Sequence, residues 1–138
     1  MMEEALIARL RAAAAVIDAA GTYDGRATID WAERRSNDDS AFPASVMAVV
    51  SPGREYDLDG PSGLNRPRVR FRNYGLTYRS AKLLARAIRD ELERPAAVGG
   101  VRFHRGRLNL EIDYDPEDLP GGPKVFLTHL DFFLPWTG

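Results

Sequence analysis

Apolar residues in this chain recur first at helical spacing, then in alternation, then again at helical spacing, and each change of period marks an element. From Glu3 to Ala19 the repeat runs through Leu6, Leu10, Ala13 or Ala14, and Ile17, and Gly21 supplies a stop. The spacing predicts one helix, with Arg9 and Arg11 on its opposite, otherwise alanine-rich face. Residues 21–40 have no clear period. Ile29 and Trp31 fit a short strand there, and the ERRSNDDS run that follows reads as a solvated loop. Ala44 to Val50 (ASVMAVV) is a short apolar run closed by Ser51-Pro52-Gly53, which predicts a buried strand. Between Arg54 and Pro67, Gly and Pro turn signals follow in close succession, which predicts a long interaction loop.

Arg68 to Tyr74 alternates cleanly. Val69 and Phe71 fall on one side and Arg68, Arg70 and Arg72 on the other, so the predicted strand is half-buried with an outer arginine row. Gly75 turns the chain and Thr77 is placed to cap a helix over Tyr78–Glu93. Its buried stripe is Ala81, Leu84, Ile88 and Leu92 with Ala85 alongside, and Pro95 ends it. Gly99-Gly100 leads to a second sheet region. There Leu108, Leu110, Ile112 and Tyr114 alternate with Arg107, Asn109, Glu111 and Asp113, a strand with one wet face. DPEDLPGGP has the composition of a loop. In the closing strand, Val125 to Leu134, the residues Phe126, Thr128, Leu130, Phe132 and Leu134 share one face, and Val125, Leu127 and Phe133 enrich the other. Apolarity on both sides predicts an interior strand or one capped by a partner. Trp136 near the end is either packed or an interface anchor. The pattern therefore predicts an α+β fold in a single domain over residues 1–138, a small mostly antiparallel or mixed sheet packed with two main helices, 3–19 and 78–93.

Composition narrows the function more than it narrows the fold. A chain of 138 residues can bury a core without staples. A net charge of -1 argues against a dedicated nucleic-acid binder, and the lack of cysteine removes disulfide and thiolate chemistry. The N-terminus has acids first and arginines within its apolar run, unlike a secretory leader, so the chain is expected in the cytoplasm of the cell that makes it, with no membrane partner.

Searches for chemistry return turns and loops. Ser62 in GPSGL lacks the spacing of a nucleophile elbow, and no lysine follows the glycines as a phosphate loop requires. Asp57-Leu58-Asp59-Gly60 resembles the start of a calcium loop, but the remaining ligands and the closing glutamate are missing. Asp113, Asp115, Glu117 and Asp118 read as a hydrated loop. The two histidines, without cysteine, fall short of a zinc set. His129 is expected to be a hydrogen-bonded structural residue and His104, in HRGR, to face solvent. The arginine row could be a nucleic-acid platform only with aromatics on its own face, and Phe71 points the other way. It is read either as solvated or as meeting acids across a subunit boundary. No catalytic, cofactor or metal site is expected.

The opening helix MEEALIARLRA, the loop YDLDGPSGL from Tyr56 to Leu64, the strand RVRFR with the helix TYRSAKLLARAIR, and the apolar final strand together resemble the tail-completion, or tail-terminator, proteins of long-tailed phages and gene transfer agents. The loop, strand and helix carry the likeness; residues 21–43 align poorly. The resemblance implies an α+β structural protein of the virion that forms a ring of six copies on the head-proximal end of the tail tube. The ring ends tube growth and offers a docking surface to the head connector, with DNA passing only transiently through the lumen. Implied partners are further copies of the chain, the major tail-tube protein and the connector or stopper. On this reading the candidate interaction residues are Tyr56, Asp57, Leu58, Asp59, Leu64 and Asn65 in the loop, Arg68, Arg70 and Arg72 between subunits, and Trp136. The alternatives are a stopper or adaptor of the neck and, from another class, a small ligand-binding protein, which needs a concave pocket with convergent polar groups.

Overall fold

The structure, a computed structural model, describes residues Met1 to Gly138. Two helices open the chain, α1 (Met2–Ala12) and α2 (Ala14–Ala19), followed by a ribbon of β1 (Thr22–Tyr23) and β2 (Arg26–Ala27). The strands β3 (Ile29–Trp31), β4 (Ala44–Ser51), β5 (Arg54–Asp57), β6 (Gly60–Asn65) and β7 (Arg68–Gly75) lead to the long helix α3 (Tyr78–Leu92). The chain finishes with β8 (Ala96–Val98), β9 (Val101–Phe103), β10 (Arg107–Asp118), β11 (Lys124–Phe133) and β12 (Trp136–Thr137).

The strands form two sheets of five. The main sheet runs β10-β11-β7-β4-β3, antiparallel except for the parallel pair β3 and β4, so it is mixed. The second sheet, β5-β6-β12-β9-β8, is antiparallel throughout. The α+β class expected from the pattern is the one observed, with twice the sheet that the pattern shows, because the second sheet is built from short strands with too few residues to display a period.

Alternation in β7 sorts the main sheet into two faces. Val69 and Phe71 pair with Val49 and Met47 of β4 and with Phe132 and Leu130 of β11. All are on the face that α3 covers with Ala81, Leu84, Ala85, Ile88 and Leu92, and together with Leu6 and Leu10 of α1 they make one core. Phe71 and Phe132 meet edge to face at 6.2 Å. The register Arg70↔Asp131 and Arg72↔His129 puts the arginine row on the opposite face, which carries no helix. There a smaller cluster of Phe42, Val46, Tyr74, Val125 and Leu127 closes one end. It also explains why Val125 and Leu127 are buried while Phe126 is only half-buried.

Thr77 caps α3 as expected: its side chain accepts from the Ser80 backbone N–H at 3.1 Å and Ser80 returns a bond to the Thr77 N–H. The first helix departs from expectation. Instead of one helix over 3–19 the chain breaks at Ala13, which is extended (φ -75°, ψ 118°), and α2 restarts to pack on α3. The break shifts the phase, so Val16 is buried where Ile17 was expected, and Ile17 is exposed. Nothing in AAAA signals it; tertiary packing overrides a helix-favouring run. Arg9 is buried as well, against expectation. Its Nε lies 2.9 Å from Glu91 Oε2 and its Nη2 donates to the carbonyls of Glu91 and Arg94, so it satisfies the frayed end of α3 while stacking 5.4 Å over Phe103.

Two predicted loops are strands. Residues 54–67 form the β5–β6 hairpin, with register Tyr56↔Pro61 and Asp57↔Gly60. Glycines and prolines there turn the ends instead of dissolving the strands: Gly53 has φ +61°, and a Cβ on it would lie 2.0 Å from the Arg66 carbonyl. DPEDLPGGP is likewise half strand, since β10 continues to Asp118 through bulges that absorb Asn109 and Asp115-Pro116.

Candidate assembly surfaces

Tyr56, Asp57, Leu58 and Asp59 make the free end of the β5–β6 hairpin. Leu58 and Asp59 form the two-residue turn, and Asp57 Oδ1 accepts the Asp59 N–H at 2.9 Å, so the aspartate holds its own turn. Leu58 is as exposed as in an open chain (105%) and Tyr56 is 66% exposed. Arg54 lies 5.6 Å over the Tyr56 ring, and Glu55 pairs with Arg66 at 3.0 Å along the hairpin shaft. The other two loop residues singled out from sequence sit elsewhere. Leu64 and Asn65 are half-buried at the hairpin's base, paired with Thr137 and Trp136 of β12. Trp136 is held between Asn65 and Phe103 and leans on the main core, so in the single chain it is a packing residue.

The three arginines share the open face of the main sheet, apart from the hairpin tip. Arg68 finds its acid within the chain, Nε to Asp131 Oδ2 at 3.1 Å, where a partner's acid was one expectation. Asp131 is buried and its Oδ1 has no partner. Arg70 and Arg72 carry no ion pair. They flank His129, which stacks on Tyr114 with ring centres 4.3 Å apart. His129 was expected to be hydrogen-bonded, yet its Nε2 is buried without a partner. Burial depresses its pKa below the ordinary histidine value, and Arg70 and Arg72 push it further the same way. Beyond His129 the edge strand β10 offers Leu110 (47% exposed), Ile112 and Tyr114 (48%) on the same face. Sequence reasoning looked for aromatics only within β7 and so missed Tyr114, which sheet register brings to the arginine row from 42 residues away along the chain from Arg72.

Other charged residues are committed to the fold. Asp30, buried on β3, is held by Arg11 at 3.1 Å, Arg26 at 3.0 Å and Arg35 at 3.7 Å, which orders the segment that showed no period. Asp113 accepts from Lys82 at 2.7 Å, Tyr78 at 2.8 Å and Thr128 at 2.8 Å. Burial by itself raises the Asp113 pKa, but those donors outweigh it and the net direction is down. The acids expected in a loop are thus strand residues, one of them tying β10 to α3, with Asp115, Glu117 and Asp118 exposed. The surface cavities are separate; one of about 390 Å³ is lined by Arg66, Arg105, Arg107, Phe133 and Pro135, beside the Arg68 end of the open face. No helix is long and apolar enough to cross a membrane.

The exposed tip of the β5–β6 hairpin and an uncovered, arginine-bearing sheet face mark this α+β domain. No family model and no curated protein sequence matches the chain. Its fold is similar to a chain in the solved structure described as "Virion of native gene transfer agent (GTA) particle", at a TM-score of 0.59 and 16% identity, over 99% of this chain and 95% of that one.

Proposed function

We propose that this chain is a structural protein of a phage-like or gene-transfer-agent virion, and within it the tail terminator: a ring, of six copies, on the head-proximal end of the tail tube. The observation that carries this reading is the end-to-end fold likeness to a chain of a gene transfer agent virion. The likeness of the Tyr56–Arg89 stretch to tail-completion proteins supports the finer role. A ring protein needs projecting elements and an uncovered complementary surface, and both are present. On this reading the ring stops tube polymerisation, presents its other side to the connector or stopper, and lets DNA pass without holding it.

Native mass spectrometry of the purified chain, alone and mixed with its tail-tube protein, tests the proposal together with electron microscopy of both samples. The expected result is a six-fold ring, or rings on tube ends only. A chain that stays monomeric and ignores the tube overturns it. Rings on the portal side alone would assign the chain to the stopper or adaptor position instead.

A further inference from the structure

The uncovered face of the main sheet has more positive charge than it can use. Arg68 takes the buried Asp131, and the other buried acid of that face, Asp30, is held by Arg11, Arg26 and Arg35, while Arg70 and Arg72 have none. Arg105 and Arg107, which carry no ion pair, line a cleft that extends the same positive band past Phe133, next to Arg66 with its partner Glu55. Beside the band runs an apolar stripe of Leu110, Ile112 and Tyr114, part-exposed on β10. An occupant of this face needs acids a few ångströms from an apolar side chain. The chain carries such a segment itself. At the tip of the β5–β6 hairpin, Asp57 and Asp59 flank the fully exposed Leu58, next to Tyr56.

We propose that the hairpin tip of one copy docks on the open sheet face of the next, with Leu58 against Leu110, Ile112 and Tyr114 and with Asp57 and Asp59 paired to Arg70 and Arg72. Because tip and face are different surfaces of one chain, the contact is head-to-tail, and a head-to-tail contact repeated through a closing rotation makes a ring. Bidentate arginine–carboxylate pairing sets the register, and the apolar contact supplies the buried area. A nucleic-acid strand is the less suitable occupant, since Asp131 lies within the arginine row and phosphates have no use for the apolar stripe. The inference rests on the ring reading above and names which surfaces of the chain meet.

Charge reversal tests it. Asp57→Arg with Asp59→Arg, and Arg70→Glu with Arg72→Glu, are each expected to abolish ring formation while circular dichroism stays native. In an equal mixture both contacts between unlike chains are complementary, native tip on native face and reversed tip on reversed face, so rings of alternating variants are expected although neither variant forms them alone. All four substitutions on one chain restore rings, which also shows that the variants fold. Because the chain has no cysteine, Leu58→Cys and Ile112→Cys chains can be mixed and oxidised, and the mixed disulfide is expected to dominate over either homodimer. If wild-type rings form and both reversed variants still form them, the docking is overturned and the ring reading stands. If wild type forms no ring, alone or on tubes, both fall. Single-stranded DNA binding that is lost in Arg70→Glu with Arg72→Glu, with rings intact, assigns the face to nucleic acid and overturns the docking.

Discussion

The two faces of the main sheet are made by the same strands and obey the same alternation, yet they end in opposite states. On one, Phe71, Leu130 and Phe132 lie beneath α3 with no accessible surface. On the other, Arg70, Arg72 and Ile112 are half-open, and only the end near Phe42 is closed by a small cluster. Period-2 alternation decides which residues share a face but not what covers it. The covered face therefore carries stability, and the open face is free to carry contact.

This contrast predicts a graded series of effects. Phe71→Ala is expected to cost the most, about 3–5 kcal/mol by chemical denaturation, since its ring is replaced by a cavity under α3. Arg9→Ala removes the buried one of the two arginines that pair with the half-buried Glu91 and frees the backbone carbonyls of Glu91 and Arg94, for a loss of about 2 kcal/mol, below the first. Val46→Ala, in the small cluster of the open face, removes about two methyl groups' worth of burial and should cost about 1.5 kcal/mol. A loss from Val46→Ala as large as that from Phe71→Ala would erase the distinction between the faces.

Acid separates the faces by a different route. His129 is depressed in the folded chain, so the unfolded state binds its proton first, and stability falls as pH drops below the ordinary histidine value of about 6.5. His129→Gln should flatten that part of the stability–pH curve. The lowered Asp113 acts in a separate window: its contribution is present above the usual carboxylate range and is lost as pH falls through its folded value. An unchanged curve in His129→Gln between pH 5 and 6.5 would contradict the burial of its ring. The smallest effects on folding belong to the residues proposed for docking. Arg70→Gln with Arg72→Gln, and Asp57→Ala with Asp59→Ala, should move stability by no more than about 0.5 kcal/mol each, while ring assembly is lost. An unfolded double mutant at either place would mean that those residues serve the fold rather than assembly.

The strength of local signals explains what could be read from the chain alone. In β7 and α3 every level agrees: alternation, the Thr77 cap and the apolar stripe all favour one outcome, and the structure has it. The AAAA run favours helix equally at each position, so the break at Ala13 was invisible. Glycine and proline counts suggested loops at 54–67 and 115–123, because these residues mark strand ends and turns as readily as disorder.

Amino-acid order by itself thus determined the helix α3, the buried and open sides of β7, the α+β class and the short strand at Ile29–Trp31. It also presented the residues of the hairpin tip as a group, because they are neighbours in the chain. Only tertiary structure decided that Arg9 is buried on Glu91, that Asp30 gathers Arg11, Arg26 and Arg35, and that Tyr114 and His129 join the arginine row. These are pairings over long separations, set by sheet register and helix packing. Periodicity reports which way a side chain points, whereas what it meets depends on which distant segment folds against it.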